Sequence, residues 1–253
     1  MGLDGKRVLL VGGSSGLGRV IGKELVAQGA RVAFTARRKD RVEAAANEAG
    51  HGAVAIAGDV TDGDACAGLV EQAVAAFGGL DALVYTAAFG PLTRLIDADA
   101  DQWRAVLDTN VIGASQVTRA AVPHLSESGG KAVYLSSVSG THTPPWPGLG
   151  LYMVSKAALE RLIETWRCEH PEVGFTTIVV GPSGAGEPDA PSEFASGWDP
   201  ELTGELMPGW MARGLMTGNL IELSDLVTQV TNVLTTRASV STVVIEPPGA
   251  STR

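Results

Sequence analysis

At 253 residues the chain is long enough to bury a sizeable core as a single α/β domain. Its formal net charge of -9 argues against nucleic acid or an anionic membrane surface as partner. No apolar run approaches the roughly 18 residues that cross a bilayer, and the N-terminus enters a strand pattern without a secretory core, so a cytoplasmic protein is expected.

Val8-Leu9-Leu10-Val11 is a short apolar run of the kind that forms a strand covered on both faces. Gly12-Gly13-Ser14-Ser15-Gly16-Leu17-Gly18 follows at once, and then a helix is predicted, with Leu17, Val20, Ile21 and Leu25 on one face and Gly29 placed to end it. The glycines have separable uses. Gly12 permits a tight turn, Gly16 lets backbone amides approach a pyrophosphate, and Gly18 lets the helix pack close on the sheet. Free amides of the turn, around Ser14, Ser15, Gly16 and Leu17, would then face the anion with the helix dipole behind them.

Further strands are predicted at Arg31 to Thr35, Ala53 to Ala57, Asp81 to Thr86, Lys131 to Leu135, Gly174 to Val180 and Thr242 to Ile245, separated by helical patterns. Such alternation argues for a doubly wound, Rossmann-type parallel sheet with helices on both faces and ligands at the carboxyl ends of its strands. The second strand ends in Ala36-Arg37-Arg38-Lys39-Asp40-Arg41. A carboxylate there would bind a bare adenosine ribose; here the chain supplies cations instead. Cations at a helix N-terminus are unfavourable by about 0.3–1 kcal/mol each, so their clustering suggests an anion between them. The natural candidate is the 2′-phosphate of NADP on Arg37 and Arg38, with a solvated basic turn as the alternative.

Asn110 lies inside the apolar helical run from Val106 to Ile112, where a buried amide needs partners. After the fifth strand, Leu135-Ser136-Ser137-Val138-Ser139-Gly140 offers several hydroxyls. Tyr152 and Lys156 stand four residues apart, which puts a phenol beside an ammonium on one helical face. A nearby cation stabilises a phenolate, so the pair reads as a general acid/base with its activator. Cys66 and Cys168, far apart in helical patterns, read as reduced packing residues, and no metal is expected. The stretch from Ser183 to about Gly218 has no clear periodicity, is rich in Gly, Pro and acidic residues, and is expected to be a substrate-binding lid within the single domain 1–253.

The glycine spacing and the Tyr152-x-x-x-Lys156 pair together resemble the short-chain dehydrogenase/reductase family over nearly the whole chain. The resemblance implies an NADP(H)-dependent oxidoreductase, preferring NADP(H) to NAD(H), that interconverts a ketone or aldehyde with an alcohol. Tyr152 would exchange the proton, Ser137 would hold the substrate oxygen, and Lys156 would lower the tyrosine pKa and bind the nicotinamide ribose. Asn110 matches an asparagine that links the lysine to solvent through water. Asp59 and Val60 match the adenine-binding acid and backbone, although an acid at a strand end is also a common helix cap. Ala87, Pro182 and Ser183 fall at further cofactor positions. Counting backwards from Tyr152 by the family's commonest spacing would select Ser139 in place of Ser137. Relatives commonly form homo-oligomers, dimers or tetramers, through the helix carrying Tyr152.

Three departures from the family pattern stand out. Ser15 replaces a residue that is basic in many NADP-preferring relatives. Tyr85-Thr86-Ala87-Ala88 replaces Asn-Asn-Ala-Gly, and Pro182-Ser183 replaces Pro-Gly, with Glu187 near the usual position of a carboxamide-binding threonine. Cofactor placement on that side is therefore open. Trp146 and the tryptophans and methionines after Ser183 would suit an apolar ketone or secondary alcohol, while core or lid packing explains them almost as well. The acids Glu187, Asp189, Glu193, Asp199, Glu201 and Glu205 make a polyanionic substrate less attractive. A non-redox reaction such as epimerisation or dehydration, or a non-catalytic NADP sensor, remains as the alternative class.

Overall fold

The computed structural model describes residues 2–184 and 186–249; Ala185, within the expected lid, lies outside them, as does Met1. In chain order the elements are β1 (Arg7–Val11), α1 (Gly16–Ala27), β2 (Arg31–Ala36), α2 (Lys39–Ala49), β3 (Ala53–Ala57), α3 (Gly63–Phe77), β4 (Ala82–Tyr85) and α4 (Ala100–Leu107). A π-helical turn (Asp108–Ile112) leads into α5 (Gly113–Ser128), β5 (Lys131–Ser137), α6 (Val138–Thr141), α7 (Gly150–Glu169) and β6 (Gly174–Val180). A small hairpin of β7 (Gly186–Glu187) and β8 (Ala190–Pro191) precedes α8 (Pro200–Ala212), α9 (Leu223–Thr235) and β9 (Thr242–Ile245).

The described residues form a seven-stranded sheet in the order β3-β2-β1-β4-β5-β6-β9, every neighbouring pair parallel. Parallel strands need crossovers, and the helices that supply them cover both faces. Alternation in β1 divides the core. Val8 and Leu10 pack with Ile21, Leu25, Val42 and Leu226 beneath α1, α2 and α9. Leu9 and Val11 pack with Leu69, Val117, Leu159 and Ile163 beneath α3, α5 and α7. Each such side chain contributes about 1.5–3 kcal/mol when fully buried. The chain winds outward from β1 to β3, then returns to place β4 on the other side of β1. That reversal opens a crevice at the carboxyl ends of β1 and β4.

Local chemistry sets the element ends. The Asp62 carboxylate caps α3 by accepting from Asp64 N at 3.0 Å and Ala65 N at 3.3 Å, and Gly78 ends that helix at φ +77°. Asp99 and Gln102 form a reciprocal capping box at the start of α4. β4 is shorter than predicted at both ends. Asp81 is engaged by the guanidinium and backbone amide of Arg7, while the Thr86 hydroxyl turns back to Val11 O at 2.8 Å.

Two expectations change. The stretch predicted to lack periodicity contains α8, which begins at Pro200 behind the Asp199 cap and buries only Leu206 and Trp210. With Gly204, Pro208 and Gly209 interrupting it, its sequence carries almost no helical stripe. Cys66 is buried, its thiol pushed up to about 11 by desolvation, but Cys168 is exposed near the end of α7 and is not a packing residue. In the last turns of that helix Trp166 faces the same core as Leu159 and Ile163, stacking near Phe175, and Cys168 lies off that face.

Candidate active site

The crevice begins as a consequence of backbone sterics. Gly12 sits at φ +90° with its would-be Cβ 2.6 Å from Ala87 N, and Gly16 sits at φ +54°. At Gly18 a Cβ would lie 2.3 Å from both Gly12 O and Thr86 Oγ1, so α1 can approach the turn only through a glycine. The amides of Gly12 and Gly13 are fixed by Thr35 O at 2.9 and 3.0 Å. Ser15 precedes α1 without capping it through its side chain. The first amides of α1 therefore remain available to an anion, with the helix dipole aligned behind them.

A cavity of about 540 Å³ runs from this turn to α7. Its wall includes Gly12, Ser14, Ser15, Gly16, Leu17 and Gly18, then Arg37, Arg38, Asp59 and Val60 toward the end of β2, and Ala87, Pro182 and Ser183 toward β6. Its backbone cradle, too narrow for added Cβ atoms yet lined with free amides, suits a dinucleotide. At the β2 end, Asp59 Oδ1 accepts from Thr61 N at 3.0 Å and Thr61 Oγ1 at 2.9 Å, while Oδ2 lies 4.0 Å from Arg37. Asp59 thus shapes the turn before α3, whose cap is Asp62.

Ser137, Ser139, Tyr152 and Lys156 line the other end of the same cavity. Ser137 terminates β5, and its hydroxyl lies 2.9 Å from Ser139 Oγ and beside the Tyr152 phenol. Lys156 is buried, donating from Nζ to Leu135 O at 2.7 Å, with Nζ 5.5 Å from the Tyr152 ring centroid. Burial draws the ammonium down to about 8, against an opposing effect of Glu160. The Tyr152 phenol is pushed up to about 12 by burial, only partly countered by Ser137. The depression expected from the lysine is absent in this arrangement: burial outweighs it, and the Phe194 ring, packed on Tyr152 with centroids 4.7 Å apart, is part of that burial.

Asn110 is fully buried but does not line the cavity. Its Oδ1 accepts from Phe89 N at 2.7 Å, and its Nδ2 donates to Phe89 O and Ser155 Oγ, each at 2.8 Å. The amide therefore ties the loop after β4 to α7. The Tyr85 departure has a physical solution: its ring stacks on Tyr134, centroids 6.3 Å apart, and its hydroxyl donates to Thr109 O at 2.7 Å. A phenol thus links the sheet to the π-helical turn. Glu187 points to α1, accepting from Lys23 Nζ at 2.6 Å and pairing with Arg19 at 3.0 Å. The Pro182-Ser183 junction is held by Ile221 N donating to Pro182 O at 2.9 Å.

The residues after β6 supply contacts that no local pattern announced. Phe194, Trp198, Met207 and Trp210, joined by Trp146 from the loop before α7, form an apolar wall of the cavity. The indoles are oriented, Trp198 Nε1 donating to Gly90 O at 2.8 Å and Trp210 Nε1 to Pro147 O at 3.0 Å. Glu193 reaches Arg38 and Arg41. Sequence composition identified the aromatics but not their partners.

Known proteins resemble this chain in sequence and in fold. The family model described as short chain dehydrogenase matches residues 6–190. An 11-beta-hydroxysteroid dehydrogenase 1A of Arabidopsis thaliana is 40% identical over 185 residues, covering 71% of this chain and 52% of that relative. The chain thus spans about half the length of such curated relatives. A short chain dehydrogenase from Burkholderia cenocepacia, solved in complex with NADP, has a TM-score of 0.80 at 29% identity, covering 96% of this chain and 97% of that one. An alcohol dehydrogenase from the archaeon Thermococcus sibiricus, complexed with 5-hydroxy-NADP, shares the fold with a TM-score of 0.81 at 20% identity, over 98% and 99% of the two chains. Because the family match runs from the strand before the glycine turn past the helix of Tyr152 and Lys156, this chain belongs to the short chain dehydrogenase family.

Proposed function

We propose that the protein is an NADP(H)-dependent oxidoreductase that interconverts a ketone or aldehyde with an alcohol. The observation that carries this reading is the single cavity joining the glycine turn and the basic end of β2 to Ser137, Tyr152 and Lys156. The turn amides and the start of α1 would hold the pyrophosphate. Arg37 and Arg38 would hold the 2′-phosphate, Asp59 and Val60 the adenine, and Ala87, Pro182 and Ser183 the nicotinamide side. A nicotinamide dinucleotide bound there supplies or accepts the hydride.

The chain's own residues account for the proton. Tyr152 would donate from its phenolic oxygen to the substrate carbonyl oxygen as negative charge develops there, and would recover that proton in the oxidative direction. Ser137 would donate a hydrogen bond to the same oxygen. Lys156, protonated below about pH 8, would favour the phenolate left on Tyr152. The segment from residue 183 to 218, whose Phe194 ring packs on Tyr152, would act as a lid over this site.

The aromatic wall supports a bulky apolar substrate, and a relative named for a hydroxysteroid, an alicyclic alcohol, agrees with it. Exposed Ile112 and Val154, on the π-helical turn and α7, support a homo-oligomer. No described helix is long and apolar enough to cross a membrane. The test is fluorescence titration with NADPH and NADH, repeated on Arg37→Ala and followed by a ketone panel at the nicotinamide absorbance. NADPH preference that falls in the variant, with oxidation during turnover, supports the reading. Equal binding of both cofactors that the variant leaves unchanged overturns the NADP preference, and cofactor recovered unchanged after turnover overturns the redox assignment.

A further inference from the structure

Three consecutive residues of the segment after β8 touch three parts of the cavity. Ser192 lies against the glycine turn, its Cα 2.9 Å from where a Cβ on Gly16 would stand. Phe194 covers Tyr152. Between them, Glu193 Oε1 lies 3.1 Å from Arg38 Nη1 and also meets Arg41 Nη1, while Oε2 accepts from Ser196 Oγ at 3.2 Å. The acid missing from the end of β2, where Ala36 stands, is thus replaced from a distant part of the chain by one that neutralises the basic cluster.

We propose that Glu193, held by Arg41 as well, is a specificity-determining residue that competes with a cofactor 2′-phosphate for Arg38 and so limits the preference for the phosphorylated dinucleotide. The inference rests on the reading that the basic end of β2 meets that phosphate. A phosphate monoester brings up to two negative charges and three acceptor oxygens to the guanidinium groups, so it must displace the carboxylate or bind beside it against like charge. A ribose hydroxyl is uncharged and leaves the Glu193 contacts in place. Removing the carboxylate charge therefore acts on one class of ligand and spares the other. Because all three side chains are between a third and a half exposed, the effect is modest and screened by salt.

The test is equilibrium binding of NADPH, NADH, adenosine 2′,5′-bisphosphate and adenosine 5′-monophosphate to the wild type, Glu193→Gln and Arg38→Ala. The two adenosine ligands read the β2 end without requiring Phe194 to move. Glu193→Gln is expected to tighten NADPH and the bisphosphate about three- to fivefold at low salt, with NADH and the monophosphate changed less than about twofold. Unchanged affinity for the phosphorylated pair overturns the proposal, and so does equal tightening of all four ligands, which makes Glu193 a simple latch. Arg38→Ala separates the two failures. If it weakens the bisphosphate while Glu193→Gln is silent, the cofactor reading stands and the role of Glu193 falls. If bisphosphate binding is indifferent to Arg38→Ala, the assignment of the phosphate to this arginine fails, and the proposal with it.

Discussion

The glycine turn and the segment lying across it meet where Gly186 approaches Gly16, yet they are held by different physics. Around Gly12 and Gly18 the constraints are backbone and the Thr86 hydroxyl closing on backbone, at the carboxyl ends of the interior strands β1 and β4. From Gly186 to Trp198 the contacts are mostly between side chains: Glu187 with Arg19 and Lys23, Glu193 with Arg38 and Arg41, and Phe194 with Tyr152. Steric fit of the first kind fails abruptly when volume is added. The half-exposed pairs of Glu193 contribute about 0–1 kcal/mol each and weaken with salt, whereas the Glu187 pair to buried Arg19 is shielded from solvent. On the proposed reading, rigidity belongs to the glycine frame and reversibility to the contacts of Glu193 in the cover.

Substitutions break this comparison at different depths. Tyr152→Phe removes the proton-carrying hydroxyl beneath the cover; turnover should fall about 10²- to 10⁴-fold, while melting temperature and NADPH affinity stay close to wild type. A variant that retains turnover sinks the assigned role. Gly18→Val drives a side chain into Gly12 O and Thr86 Oγ1, and about 3 kcal/mol of stability should be lost together with dinucleotide binding, as read by denaturant unfolding and titration.

Asp81→Asn tests the frame at the opposite end of β1. Burial alone would raise the Asp81 carboxyl, but the side-chain and backbone hydrogen bonds from Arg7 outweigh it and hold the group below its usual range. Its folded value lies below its unfolded value, so the stabilisation is fully present above about pH 4 and is lost as pH falls through the folded value. The variant should lose about 1–2 kcal/mol at pH 7, and its stability should depend less on pH below 4. An acid limb identical to wild type would count against the pair. The smallest effect is expected from Arg94→Gln, which breaks an exposed ion pair to Glu205 on α8: less than about 0.5 kcal/mol, and nothing measurable at high salt. A larger loss would mean that the cover is held as rigidly as the frame.

Legibility in the sequence follows the same division. The seven sheet strands, the glycine turn and the Tyr152–Lys156 spacing all rest on patterns within a few residues, where chain geometry leaves little choice. Asn110 was legible as a buried amide with partners, though not that those partners are Phe89 and Ser155. α8 went unread because only Leu206 and Trp210 face inward and its prolines and glycines mask the period. In the sequence Tyr85 is only a departure from the family pattern; its partners, Thr109 O and the Tyr134 ring, come from the tertiary fold.

By itself the sequence determined the doubly wound sheet and the glycine turn, both written in short-range periodicity and backbone permissiveness, while the family was legible in it as a resemblance of motifs. Only the tertiary structure decided that Glu193 meets Arg41, 152 residues away, and that Phe194 rather than solvent lies on Tyr152. Those pairings depend on where the strands deliver their ends in space, which no local spacing encodes; one offsets the charge at the β2 end and the other helps bury the phenol.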